Sequence, residues 1–212
     1  MDIMIRSEVA SDYRKVEEIT REAFWNLYAP GCNEHYLAHV MRRHSDFIPT
    51  LDFVALLDGE LVGSIMYMKS SLEAENGETL DTITFGPVSV LPKFQKQGIG
   101  ATLIRYSLKK ATADNYNAVI IYGHPHNYCK HGFKSSRDFN IATKAGKYPS
   151  SLLVLELKKE VLKGHSWKYI DSDVYKLKDE EVEAFDATFE HKEKGYSYTQ
   201  EEFSISCRSF LL

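Results

Sequence analysis

The residues best suited to chemistry are the run Gln95-Lys96-Gln97-Gly98-Ile99-Gly100, a turn with two glycines that leads into Ala101 and an apolar stripe at helical spacing, Leu103, Ile104, Leu108 and Ala111. A helix start offers backbone N–H groups with no intrahelical acceptor and the positive end of the helix dipole. Glycines at 98 and 100 let an anion approach that backbone closely, so the expected ligand is a phosphate. Neither GxGxxG nor GxxxxGK[ST] is present, which removes the defining residues of the dinucleotide and P-loop versions of such a site. The plainer alternative is a tight turn whose glycines serve packing.

Other candidates are weaker. His35 and His39 have the i, i+4 spacing of a chelating pair, but no third ligand follows in a recognisable pattern, and packing or surface histidines with no metal are expected. Cys32, Cys129 and Cys207 are odd in number and never form a CxxC pair, which suits reduced thiols. The run Lys176 to Glu183 reads as a solvated helix face. A formal charge of −4 and a pI near 6.1 provide no positive field for nucleic acid or an anionic membrane. No stretch approaches the roughly 20 apolar residues of a membrane span, and Met1 to Arg6 lacks the features of a signal peptide, so a cytoplasmic location is expected.

The elements that must position the turn are legible from periodicity. Ile3 and Ile5 alternate as in a short strand. Ser11 or Asp12 offers a cap to a helix with Val16, Ile19, Ala23, Phe24 and Leu27 on one face, and a second helix carries Leu37, Val40 and Met41. Phe53–Leu57 and Leu61–Met68 form a hairpin about Asp58-Gly59. Thr82 to Val90 is a strand interrupted by Gly86-Pro87, a pair that predicts a bulge or splay. The helix from Ile99, a buried strand Ala118–Tyr122, a turn to Phe133 and a strand Leu152–Leu157 follow. Helices interleaved with a mixed sheet make an α/β or α+β fold. From Lys158 the chain becomes charge-rich and aromatic, with a helix over Val182, Phe185, Ala187 and Phe189.

The run from Phe85 to Gly100, with Gln95, Gly98 and Gly100 as its core, resembles the cofactor motif of GNAT superfamily N-acetyltransferases. The Asp-Gly hairpin upstream and Tyr128-Cys129-Lys130-His131-Gly132-Phe133 downstream strengthen the resemblance, which covers roughly residues 1 to 157. It implies a mostly antiparallel mixed sheet splayed between its fourth and fifth strands, with acetyl-CoA as cosubstrate and no metal. It divides the chain into an acetyltransferase domain, 1–157, and a C-terminal extension, 158–212, packed on that domain or at a subunit contact such as a homodimer.

The resemblance further implies that Val88 and Val90 lend backbone groups to the pantetheine arm, with Ser89 between them facing the opposite way. Gln95, Lys96, Gln97, Gly98, Ile99, Gly100 and Ala101 hold the pyrophosphate. The N–H of Val88 polarises the thioester carbonyl, and Tyr128 protonates the departing thiolate. His124 departs from the Gly-Asp-Pro of related members; an imidazole there is chemically able to take a proton from a substrate ammonium, and equally able to face solvent. Cys129 is read as structural, because transfer in the family runs directly from thioester to amine. The function expected is N-acetylation of a small-molecule or peptide amine, the alternative being a non-catalytic acyl-CoA-binding regulatory module.

Overall fold

The structure is a computed structural model that describes residues 3–212. Its centre is a nine-stranded sheet. The strands β1 (Ile3–Ser7), β2 (Phe53–Leu57), β3 (Glu60–Ala74), β4 (Thr79–Val90), β5 (Ala118–Tyr122), β9 (Leu152–Glu156) and β6 (Lys134–Ser135) lie side by side in that spatial order. All neighbours are antiparallel except β4 and β5. Two minor strands, β7 (Ile141–Ala142) and β8 (Tyr148–Pro149), lie between β6 and β9 in the chain. Asp58 and Gly59, both at positive φ, turn the chain between β2 and β3. β3 outruns β2, and its far edge is taken by β10 (Trp167–Ile170), which pairs Ser71 to Ala74.

Alternation along the strands separates two apolar layers. Phe53, Ala55, Ile65, Tyr67, Ile83, Phe85, Val119 and Ile121 face α3 (Ile99–Ala113) on one side. The other side is covered in parts. Val54 packs under α1 (Tyr13–Phe24), and Met66 and Met68 under α2 (Glu34–Met41). Leu72, Ala74, Ala118 and Ile120 lie beneath Leu162, Trp167 and Tyr169. Asp12 precedes α1 without capping it; its carboxylate instead accepts from Val9 N–H and pairs with Arg6 at 2.5 Å.

The remaining chain wraps the α1–α2 face. The short helix α4 (Pro125–Tyr128) follows β5; α5 (Asp179–Asp186) and α6 (Tyr198–Cys207) lie beyond β10, and β11 (Phe210–Leu211) pairs β8. Asp186 meets Arg21 of α1 at 2.6 Å, and Phe185 stacks near His39 with centroids 4.5 Å apart. The helix expected to reach Phe189 ends at Asp186, and Ala187 and Phe189 lie outside it. Phe189 instead packs on His35 and beneath the Arg14 guanidinium. Among the described residues, no helix is long and apolar enough to cross a membrane.

A buried polar cluster ties β1, α1 and α2 together. Arg42 donates to both carboxylate oxygens of Glu8, at 2.7 and 2.8 Å, and to Glu17 at 3.0 Å. Asp52 is buried beside Glu8 with Oδ1 unpaired. Burial, reinforced by the hydrogen bond to Glu8 and its charge, holds the Asp52 carboxyl well above the usual carboxylate range. An unfolded aspartate loses its proton near pH ~3.9, so between that value and the raised folded one the native state binds an extra proton and stability falls as pH rises. Asp52→Asn should flatten this decline. Urea unfolding at pH 5 and pH 9 checks it: a smaller loss in the variant than in the parent is expected, and parallel losses would mean that Asp52 does not carry the proton.

Candidate active site

The site begins with a strand that loses its neighbour. β4 pairs β3 along its length but meets β5 through one register pair, Ile83 with Val119. Tyr67 stands opposite Phe85 and Ile65 opposite Val88, so Gly86 and Pro87 together face Met66, the two-against-one count of a β-bulge. Gly86 has φ +148° and the peptide between the pair is cis. Beyond the bulge Leu91 N–H donates to Val62 at 2.9 Å, and Ser89 is in register with Ser64. Alternate residues of a strand turn their backbone groups to opposite edges, so Val88 and Val90 turn theirs away from β3 and into the splay. The Gln95 side-chain amide donates to Val90 C=O at 3.0 Å, leaving Val90 N–H and both groups of Val88 without a strand partner.

The turn beyond the splay fixes the start of α3. Gly98 is the N-cap at φ +87°, and Lys96 also has positive φ. The first helical bond runs from Thr102 N–H to Gly98 C=O at 2.9 Å, so the N–H groups of Ile99, Gly100 and Ala101 have no helical acceptor. A Cβ at Gly98 would meet no heavy atom within 4 Å; the space over this turn is open, and φ is what calls for glycine.

Splay and turn line one cleft of about 780 Å³. Val88, Val90, Gln95, Lys96, Gly98, Ile99, Gly100, Ala101, His124 and Tyr128 all line it. Ser89 and Gln97 do not. Ser89 is buried on the other face of the sheet and donates to Thr20 Oγ1 at 2.9 Å; the Gln97 amide folds back onto Lys93 C=O. Tyr128 packs against Phe85 and Phe133, and burial pushes its phenol up to about 12. The ring lies directly over Gly123, where a Cβ would come within 2.3 Å of Cε2.

Two arrangements outside the cleft involve residues of the kind used in catalysis or metal binding. Cys32 Sγ lies 3.3 Å from His35 Nδ1, and His35 Nε2 lies 3.2 Å from Asp186. Burial pushes the thiol up to about 12 and the imidazole down to about 4, so both are neutral at pH 7, and with the half-buried Asp186 they pack the end of α5 onto α1 and α2. His44, Asp46 and Asp173 gather within 4.8 Å of one another, a grouping without a spacing signal in the sequence. His44 bonds to Asp173 at 2.9 Å, and Asp46 accepts from Ser172.

The model of the acetyltransferase (GNAT) family matches residues 18–133. The chain belongs to the GNAT family of acetyltransferases. It is 30% identical over 86 residues to the uncharacterized N-acetyltransferase YjhQ of Escherichia coli K12, covering 41% of this chain and 47%, about half, of that relative. With the uncharacterized N-acetyltransferase YhbS of the same strain it shares 25% identity over 163 residues, 76% of this chain and 92% of the relative. The crystal structure of Escherichia coli YhbS in complex with CoA has a TM-score of 0.71 at 23% identity, covering 82% of this chain and 92% of that one. A Brucella melitensis GNAT acetyltransferase in complex with acetyl-CoA gives 0.63 at 22% identity, over 82% and 98%. These likenesses show the fold, including the parallel β4–β5 pair at the splay.

In this GNAT chain the cleft has a second wall that motif reading does not identify. Phe24 of α1, Tyr28 of the turn after it, Glu34 of α2, and Tyr169, Asp171 and Tyr175 from beyond residue 158 line it. Burial raises the Glu34 carboxyl, whose Oε2 accepts Asn33 N–H at 3.0 Å. The alternation Trp167-Lys168-Tyr169-Ile170 is the one local signal that could have found β10 and placed Tyr169. Glu34 and Asp171 have no such signal. The tightest steric condition in the cleft is Gly123 beneath Tyr128. Gly123→Ala should force the ring aside and cost about 1–3 kcal/mol, as overpacking typically does; denaturant unfolding with unchanged stability would contradict this packing.

Proposed function

We propose that the protein is an acetyl-CoA-dependent N-acetyltransferase that moves the acetyl group directly to an amine. The observation that carries this reading is a single cleft joining the free N–H groups at the start of α3, the unpartnered edge of β4 and the Tyr128 ring. Each part suits one part of the cosubstrate. The N–H groups of Ile99, Gly100 and Ala101, over the open Gly98, suit a pyrophosphate, and Lys96 and Lys130 on the cleft wall add positive charge. Val88 and Val90 offer the amide-bearing arm the hydrogen bonds that another strand would take.

In this reading Val88 N–H donates to the thioester oxygen as charge develops there, and positioning supplies most of the remaining acceleration. Tyr128 hydrogen-bonds to the departing sulfur. A phenol held near 12 stays protonated throughout the neutral range and enters the reaction as a donor, not as a base. A free thiol ordinarily titrates near ~8.5, but the burial that lifts the phenol lifts a thiolate beside it in the same direction, which brings the two closer in proton affinity. His124 lines the cleft as a candidate proton acceptor on its rim.

Gly98→Asp adds bulk and negative charge where the pyrophosphate would lie. Calorimetry should show CoA affinity falling by 100-fold or more, and unchanged affinity would sink the cofactor assignment. Tyr128→Phe should lower kcat by roughly 10²-fold with CoA affinity nearly preserved. In the parent the rate should show no alkaline decline from this phenol up to pH 10. An unchanged kcat in the variant removes Tyr128 from the mechanism, and CoA binding without turnover of any amine would leave the acyl-CoA-binding module as the reading.

A further inference from the structure

The cleft is electrically polarised. Lys96 and Lys130 line it beside the α3 turn and the helix of Tyr128, and the only carboxylates among the described lining residues are Glu34 and Asp171. These two come from different elements of the second wall. Glu34 opens α2 next to Tyr28, whose phenol feels its charge; Asp171 follows β10 and acts on Tyr122, Tyr169 and Tyr175. Among the described residues neither carboxylate has a basic side chain within ion-pair distance, unlike Asp12, Glu17 or Asp186 elsewhere in the fold. Glu34, a half-buried carboxylate left without a cation in an aromatic-walled cleft, is a poor stabilising device and a good receptor for one, and the exposed Asp171 adds a second negative charge to the same cleft. The Tyr175 hydroxyl, buried without a hydrogen-bond partner, adds an unused polar group to the same wall.

We propose that the acceptor is an aliphatic diamine or polyamine, its reacting nitrogen at Glu34 and a second ammonium at Asp171, with the methylene chain along the tyrosines between them. The assignment rests on the acetyl-transfer reading and names its substrate class. Two carboxylates from separate elements of one cleft match two positive charges on one molecule, whereas an amino acid would bring its own carboxylate against them. Phe24, Tyr28, Tyr122 and Tyr169 offer apolar faces to a methylene chain and π-faces to an ammonium. The chemistry balances. The acceptor enters as an ammonium and gives one proton to the Glu34 carboxylate. The freed nitrogen attacks the thioester carbon, the C–N bond forms as C–S breaks, and the departing sulfur takes the Tyr128 phenol proton, which the phenol recovers from the acylated nitrogen. The amide and the CoA thiol are released with one net proton. Burial already strengthens the hold of Glu34 on a proton, which fits it for the first step. Asp171, on the rim and exposed, keeps the distal charge without taking part in the transfer.

The test is calorimetry on the CoA-loaded protein with three matched series of three to eight carbons: α,ω-diamines, n-alkylamines and ω-amino acids. Kinetics with acetyl-CoA run alongside. At one chain length or more the diamine should bind at least 10-fold more tightly than the alkylamine, and the amino acid more weakly than both. Asp171→Asn should shrink the diamine-to-alkylamine ratio below threefold. Glu34→Gln should lower kcat and remove the acidic limb of the kcat pH profile, which a purely structural role would not move; a melting curve confirms that each variant folds. Alkylamines binding as tightly as diamines at every length, or a ratio untouched by Asp171→Asn, would overturn the proposal. Diamine selectivity in binding with no acetylation of any amine would support this acceptor site while overturning the acetyl-transfer reading.

Discussion

Backbone groups of a central strand that lose their neighbour must find water or another partner, and in this fold the loss occurs halfway along β4. Beyond Ile83 the sheet divides, with β3 still paired on one edge and β5 leaving on the other. The bulge at Gly86-Pro87 bends the strand at that point and turns Val88 and Val90 outward. The layers on either side are arranged around this opening. Phe85, Ile99 and Ile104 close it below, and α3 starts at its mouth, so that unpaired strand groups and unpaired helix N–H groups share one cleft. Closing β4 onto β5 in regular pairing would satisfy the strand and abolish the cleft.

The second constraint comes from the other end of the chain. The α1–α2 pair cannot complete the cleft alone: Tyr169, Asp171 and Tyr175 supply part of its wall, and they are held by β10 on β3 and by Val174 against Met66 and Met68. The segment after Tyr175 then binds α1 at many points. Arg21 with Asp186 and Lys192 with Glu22 tie down the helix, and Trp25 Nε1 with Glu193 C=O and Thr199 Oγ1 with Leu27 C=O tie down the turn that follows it. Movement of α1 and the turn after it, which bring Phe24 and Tyr28 into the cleft, is therefore coupled to the segment after Tyr175.

What could be read from the sequence follows the range of the interactions. Asp58-Gly59 and the stripe from Ile99 to Ala111 are local, since turn chemistry and period decide them, and both features are present in the fold. The bulge was legible because Gly-Pro inside an apolar strand breaks a local rule. Asp12 shows the limit of that approach: its cap-forming side chain is claimed by Arg6, six residues away on another element. Phe189 sits at helical spacing, yet the helix stops short because His35 and Arg14 offer its ring a better site. For the cleft, the cosubstrate end is written in consecutive residues. The opposite wall is assembled from α1, α2, the turn after α1 and the strand after residue 166, and no spacing along the chain records that Glu34 and Asp171 line one cleft.

In the proposed function the unpartnered edge of β4 and the start of α3 together receive acetyl-CoA. Backbone amide hydrogen exchange with and without the cosubstrate addresses these atoms directly. Val88, Val90, Ile99, Gly100 and Ala101, whose N–H groups have no strand or helix acceptor, should exchange fast alone and slow by at least tenfold on saturation, while Ser89 on the β3 side should change little. Unchanged exchange at Val88 and Val90 in a protein saturated with acetyl-CoA would mean that the splay is not the binding slot, and would contradict the account.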